Sequence, residues 1–137
     1  MTFDDLSPGQ QLPPLTFPVT ASAIIAGAIA TNDFAKVHHD PAAAAASGVP
    51  SIFMNILTTN GLVQRFVTEW AGPAARVRKI GIRLGAPNFV GDTMTLTGEV
   101  ASLSPETREA EISVKGTNGI GEHVSATMRI AFEETGR

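Results

Sequence analysis

Apolar residues recur along this chain with two different periods, and the change between them falls near Gly72-Pro73. In the first half the period is helical. Ile24, Ile25, Ala28 and Ile29 are spaced to place the isoleucines on one buried face of a short helix, capped by Thr20 or Ser22 and fraying near Thr31-Asn32. Asp40-Pro41 supplies a cap and a first-turn proline ahead of residues 42–46, and Gly48 fits the position just past a helix end. Residues 55–70 carry Ile56, Val63, Val67 and Trp70 at helical spacing, with Asn60, Arg65 and Glu69 on the other side, which predicts one long helix ended by Gly72-Pro73.

Beyond that point the pattern alternates. Strands are expected at residues 79–84, 93–100, 110–115 and 124–132, separated by the turn signals Pro87-Asn88, Gly91-Asp92, Ser104-Pro105 and Asn118-Gly119. Residues 7–14 read as a turn-rich lead-in, and residues 15–19 as an edge strand, the place where a sheet tolerates proline. An antiparallel sheet of about four strands with one apolar face needs a cover, and the long helix is the element able to provide it. The expected architecture is a single α+β domain spanning residues 1–137.

Composition narrows the functional classes. With 43% hydrophobic and 17% charged residues, the chain suits a compact core and a partner chain more than extended disorder. A net charge of −3 and no basic run longer than the scattered Arg76-Val77-Arg78-Lys79 give no electrostatic footprint for nucleic acid. Cysteine is absent, which removes disulfides, thiolate nucleophiles and Cys-ligated zinc. Asp4 and Asp5 stand where a signal peptide would be basic, and the longest apolar run, residues 21–30, is too short to cross a bilayer. The expectation is a cytoplasmic protein that contacts neither nucleic acid nor membrane.

Two of the three histidines lie in the run Asn32-Asp33-Phe34-Ala35-Lys36-Val37-His38-His39-Asp40-Pro41. Imidazoles titrate near neutral pH and are the usual carriers of proton transfer. Asp33 and His38, straddling a helix-to-loop junction, can converge on one water; alternatively Asp33 caps a turn, His38 is a hydrogen-bonded, half-buried residue and Asp40 caps the next helix. A metal site from His38, His39 and Asp40 is disfavoured because adjacent side chains diverge and His123 is distant in sequence. Trp70 suits core or interface packing, while Arg76, Arg78, Lys79 and Arg83 form either a solvated strand face or a contact for phosphates. Asn60 and Gln64, polar residues on the long helix, line either a pocket or a chain-to-chain contact.

The segment from Ala30 to His38 resembles the signature Ser-Gly-Asp-x-Asn-Pro-(Leu/Ile/Val)-His of the MaoC-like (R)-specific enoyl-CoA hydratases, with Asp33, Val37 and His38 on matching positions. Arg83, Pro87, Gly91-Asp92, Gly98-Glu99-Val100 and Asn118-x-x-Gly121-Glu122-x-Val124 look like further landmarks of that family. The resemblance implies a hot-dog fold, a sheet wrapped around a long helix, with two such folds side by side as the working unit. It implies that Asp33 and His38 hold the water that adds to a trans-2-enoyl thioester, with no cofactor beyond the CoA that carries the substrate. The backbone amide of Asn55, at the start of the long helix, would then face the developing enolate oxygen, and Met54, Asn60 and Arg83 would contact substrate. The family's Asn-Pro is Ala35-Lys36 here, and its His-Gly is Met54-Asn55.

These departures are shared with a subgroup that the chain also resembles through residues 33–40, 52–58, 61–65 and 67–73: small subunits of bacterial steroid side-chain hydratases of cholesterol catabolism. That likeness implies an acyl-CoA substrate with a steroid group and a second MaoC-like chain in a heterodimer or heterotetramer. Two alternatives come from other classes. A hot-dog thioesterase would need an acid near the start of the long helix, where Asn55 and Asn60 stand, and a non-catalytic partner subunit would have no need of both Asp33 and His38.

Overall fold

The computed structural model describes residues 1–133. Three helices, Ala21–Ala30 (α1), Pro41–Ala46 (α2) and Ile56–Ala71 (α3), follow a first strand, Gln11–Pro18 (β1), and precede four more. These are Ala75–Leu84 (β2), Thr93–Ser104 (β3), Glu109–Thr117 (β4) and Glu122–Phe132 (β5). All five strands pair antiparallel in the order β1-β3-β4-β5-β2, giving the α+β hot-dog architecture that the resemblance implies. No helix among the described residues is long and apolar enough to cross a membrane.

The sheet covers α3. Inward-facing Leu96, Val100, Ile112, Met128 and Ile130 are fully buried and cluster with Leu62, Val63, Phe66 and Val67 of the helix. Burial of such side chains stabilises the domain by roughly 1.5–3 kcal/mol each, which makes this contact the principal source of its stability. Gly98 permits the closest approach: a Cβ there would lie 2.9 Å from Cε1 of Phe66, so the missing side chain lets the ring rest on β3.

Three expectations change at this level. β1 begins at Gln11 and not at residue 15, with Pro13-Pro14 inside a register shift between Leu12 and Leu15. An edge strand tolerates proline where no ladder donor is required, and the irregularity absorbs both residues. The isoleucines of α1 do not share a buried face: Ile24 and Ala28 are buried, whereas Ile29 is 59% exposed. α1 packs through Ile24, Gly27 and Ala28, because a Cβ on Gly27 would overlap the Thr58 side chain of α3, which places the two helices in close contact at the glycine. On α3 the buried stripe is Thr59, Leu62, Val63, Phe66, Val67 and Ala71; Ile56 lies one turn before it, half-exposed, and Trp70 packs on the core from its margin.

His123 on β5 joins the sheet to α3. Its Nδ1–H donates to the carbonyl of Ala86 at 2.7 Å, which leaves Nε2 to accept from the Thr59 hydroxyl at 2.8 Å. A backbone carbonyl can only accept, so this pairing fixes the neutral tautomer. Burial holds the His123 pKa below its ordinary value of 6.5. The folded form therefore resists a proton that the unfolded chain takes up, and the contribution of His123 is complete above pH 6.5 and declines as the pH falls towards the lower folded value. In urea titrations the unfolding free energy should lose up to about 1.4 kcal/mol per pH unit from this group below that point. His123→Gln should flatten the slope; an unchanged slope would show that His123 is not its source.

Candidate active site

The end of α1 sets the position of Asp33. The amide of Asn32 donates to the carbonyl of Ile29 at 3.1 Å and that of Asp33 to the carbonyl of Ala28 at 2.9 Å, with Asn32 in the left-handed region at φ 54°. This is a Schellman motif, with asparagine where glycine is commoner, so the helix ends in a defined turn and does not fray as its sequence suggests. Thr31 adds its hydroxyl to the carbonyl of Gly27 at 2.8 Å. The chain then leaves α1 in a fixed direction.

A turn of 3₁₀ helix at Lys36–His38 brings the imidazole of His38 back over this end. Its Nδ1–H donates to the carbonyl of Phe53 at 2.7 Å, and its ring meets the Phe53 ring edge-on, with centroids 4.9 Å apart. The carbonyl fixes the tautomer, so in the neutral ring the lone pair is on Nε2, which lies 3.5 Å from Oδ2 of Asp33. His39 turns its ring to the carbonyl of Phe34, and Asp40 accepts from the amides of Ala42 and Ala43 as the cap of α2. Among the described residues no three His, Asp or Glu side chains converge in a metal-binding cluster.

Both oxygens of Asp33 are engaged. Oδ1 accepts from the amide of Ala35 at 3.2 Å, and Oδ2 from Nδ2 of Asn55 at 3.0 Å. The Asn55 bond, then the Ala35 amide, hold the Asp33 carboxyl below its ordinary 3.8, so it is a carboxylate at neutral pH. Asn55 also caps α3: its Oδ1 accepts from the amide and hydroxyl of Thr58, and its Nδ2 reaches the Thr31 hydroxyl at 2.9 Å. Among the described residues, the backbone amide of Asn55 has no protein acceptor. It stands at the positive end of the α3 dipole, beside the Asp33–His38 pair.

The loop before β3 anchors this helix end. The amide of Met54 donates to the carbonyl of Asn88 at 3.0 Å, and Phe53 and Phe89 form an isolated antiparallel bridge. Asn88 is fully buried, its Nδ2 directed at the sulfurs of Met54 and Met94 and its Oδ1 accepting from Asn118. Ile29, Phe34, Ile56 and Leu57, all between 49% and 65% exposed, come from the end of α1, the run bearing the pair and the start of α3. Exposed apolar side chains concentrated there suit an acyl group or another chain.

Three residues expected to contact substrate have different placements. Met54 is 2% exposed and packs inside, so it supports the helix start and offers no surface to a ligand. Arg83 lies on the outer face of β2 with Lys79 and Gly81, while Ile80 and Ile82 turn to the core, so within one chain it does not reach the pair. Asn60 is half-buried on α3, one turn on from the cap. Sequence pattern does not point to the Asn55 side chain, the Phe53 carbonyl or the Thr31 hydroxyl as parts of the site; an asparagine opening a helical pattern is the one available signal, because N-caps favour asparagine.

In sequence and fold the chain is similar to known proteins. A family model described as MaoC like domain matches residues 6–124. The 3-oxo-4,17-pregnadiene-20-carboxyl-CoA hydratase beta subunit of Mycobacterium tuberculosis is 44% identical over 129 residues, 93% of this chain and 97% of that one. The crystal structure of the ChsH1–ChsH2 complex from the same organism matches with a TM-score of 0.89 at 43% identity, over 93% of this chain and 98% of that one. The unliganded R-hydratase PhaJ1 of Pseudomonas aeruginosa shares the fold, with a TM-score of 0.87 at 21% identity over 97% of this chain and 86% of that one.

Proposed function

The chain belongs to the MaoC-like domain family, and from that premise we propose that it is a subunit of an enoyl-CoA hydratase, a hydro-lyase adding water to a trans-2-enoyl-CoA. The observation that carries this reading is the 3.5 Å approach of His38 Nε2 to Asp33 Oδ2 next to the Asn55 amide, which has no protein acceptor among the described residues. A water held between nitrogen and carboxylate presents a lone pair to C3 of the enoyl group while its O–H bonds point at two proton acceptors. As the C3–O bond forms, the C2=C3 π pair moves towards the thioester carbonyl. The proton lost by the water passes to the pair, and an imidazolium formed there would be stabilised by the adjacent carboxylate. Delivery of a proton to C2 restores the thioester and the resting pair, so the net change is one water added with no redox step. Meanwhile the Asn55 amide and the α3 dipole face the enolate oxygen.

The substrate and assembly rest on the mycobacterial relatives. One is named as a subunit acting on a pregnadiene carboxyl-CoA, and the matching crystal structure is of a two-component complex. We therefore assign this chain a steroid side-chain acyl-CoA from sterol catabolism and a second MaoC-like chain as its partner. A CoA thioester is an intracellular metabolite, which puts the reaction in the cytoplasm. The exposed Ile29, Phe34, Ile56 and Leu57 give the partner or the acyl group an apolar surface to cover. A thioesterase reading has less support, since the side chain at the start of α3 is an amide already committed to the cap and to Asp33.

The test is hydration of trans-2-enoyl-CoAs with short, long and steroid acyl groups, by the chain alone and co-expressed with a candidate partner. Water addition, greatest with the steroid thioester in the presence of the partner, is the expected result. CoA release without hydration would overturn the assignment.

A further inference from the structure

Asn55 occupies a position from which one side chain touches three separate elements. Its Oδ1 caps α3 through Thr58, and its Nδ2 donates to Thr31 at the end of α1 at 2.9 Å and to Asp33 at 3.0 Å. At 2% exposure it is screened from solvent, so these bonds do not compete freely with water. The Asp33 oxygen it meets is Oδ2, the same atom that lies 3.5 Å from His38 Nε2. An amide donor on that oxygen limits which lone pair remains for a water or a proton, and it opposes rotation of the carboxylate.

We propose that Asn55 is a positioning residue for Asp33, its side-chain amide fixing the orientation of the carboxylate so that the remaining lone pair of Oδ2 faces His38. This deepens the hydratase reading and rests on it for its catalytic consequence. The side chain and the backbone amide belong to one residue, so the group that orients Asp33 and the group offered to the enolate oxygen move together. The charged neighbours are few. Among the described residues, His38 is the one titratable group within ion-pair distance of Asp33 and Lys36 pairs with no carboxylate, while His39 turns to the Phe34 carbonyl. The parts of α1 and α3 that meet Asp33 present Thr31 and Asn55, neither of which titrates.

A merely structural role, the helix cap, is separable by substitution. Asn55→Asp and Asn55→Ser both retain a good N-cap oxygen, and both remove the amide NH₂ that reaches Asp33. In the full-length chain labelled with ¹³C at aspartate carboxyls, the Asp33 resonance, identified by its loss in Asp33→Asn, reports its ionisation without any substrate. In Asn55→Asp two carboxylates share the site, and the upper of the two coupled titrations should lie above the wild-type Asp33 value by about one pH unit or more. Asn55→Ser should raise it by less. For hydration, the acid limb of the rate profile should move up in Asn55→Asp, with kcat about 10- to 100-fold lower and KM little changed. An Asp33 titration in folded Asn55→Ser identical to wild type would overturn the proposal, because the added charge in Asn55→Asp shifts the carboxylate whether or not Asn55 orients it. Altered titration in Asn55→Ser, in a chain that hydrates no enoyl-CoA, would leave Asn55's hold on Asp33 established and remove the hydratase reading alone.

Discussion

Replacing Asp33 with asparagine should lower kcat/KM for enoyl-CoA hydration by about 10²- to 10⁴-fold, the usual contribution of a positioned acid–base group, while the chain still folds. The substitution is nearly isosteric, so its effect isolates charge and acceptor capacity. Both carboxylate oxygens accept hydrogen bonds, one from the Ala35 amide and one from Asn55 Nδ2. An amide placed there turns its NH₂ group against one of those donors whichever way it is flipped. The variant therefore loses the negative charge that would stabilise an imidazolium, and it loses one local contact as well. Activity within a few-fold of wild type would remove Asp33 from the chemistry.

The second large effect is expected at His38. Asparagine can present its side-chain N–H to the Phe53 carbonyl much as Nδ1 does now at 2.7 Å, but it places no basic nitrogen near Asp33. His38→Asn should thus keep the local turn and lower kcat/KM by about 10²- to 10⁴-fold. His38→Ala, which also leaves that carbonyl without its donor, should lose comparable activity and some stability. Groups acting as a unit on one water are not additive, so Asp33→Asn combined with His38→Asn should fall little below the worse single variant. Steady-state kinetics on all three would test this. Losses that multiply would mean the two residues serve separate steps.

Much of the fold is legible in the sequence because its signals are local. Asp40-Pro41 announces the start of α2, the apolar stripe announces α3, and alternation between turn residues announces β3, β4 and β5. Where the reading fails, a distant contact decides. Gly27 looks like a gap in an isoleucine helix until Thr58 is seen against it, and β1 reaches back to Gln11 because β3 offers it a partner at Glu99. The site divides in the same way. Asp33 and His38 stand out as titratable groups in a short run, whereas the bonds from Asn55 and to Phe53 span 22 and 15 residues and depend on α3 being docked. Alternation along residues 79–83 sets Arg83 on the face opposite Ile80 and Ile82, but which face holds the pair depends on where α3 docks.

The dependence on α3 has a consequence for how the domain assembles. Asp33, at the Schellman turn, and the 3₁₀ turn bearing His38 lie in a run with mostly local bonds, the Ala35 amide on Asp33 among them, but the Phe53 carbonyl and the Asn55 side chain that complete the orientation of the pair arrive with residues 53–55. Those residues are in turn held by Asn88, from a segment that follows β2 in the chain. Site geometry is thereby made contingent on closure of most of the molecule, so a nascent or partly opened chain carries both side chains without the arrangement between them. Amides near the pair belong to the same cooperative unit as the core, and their exchange with deuterium would follow global opening more closely than the surface location of the segment suggests.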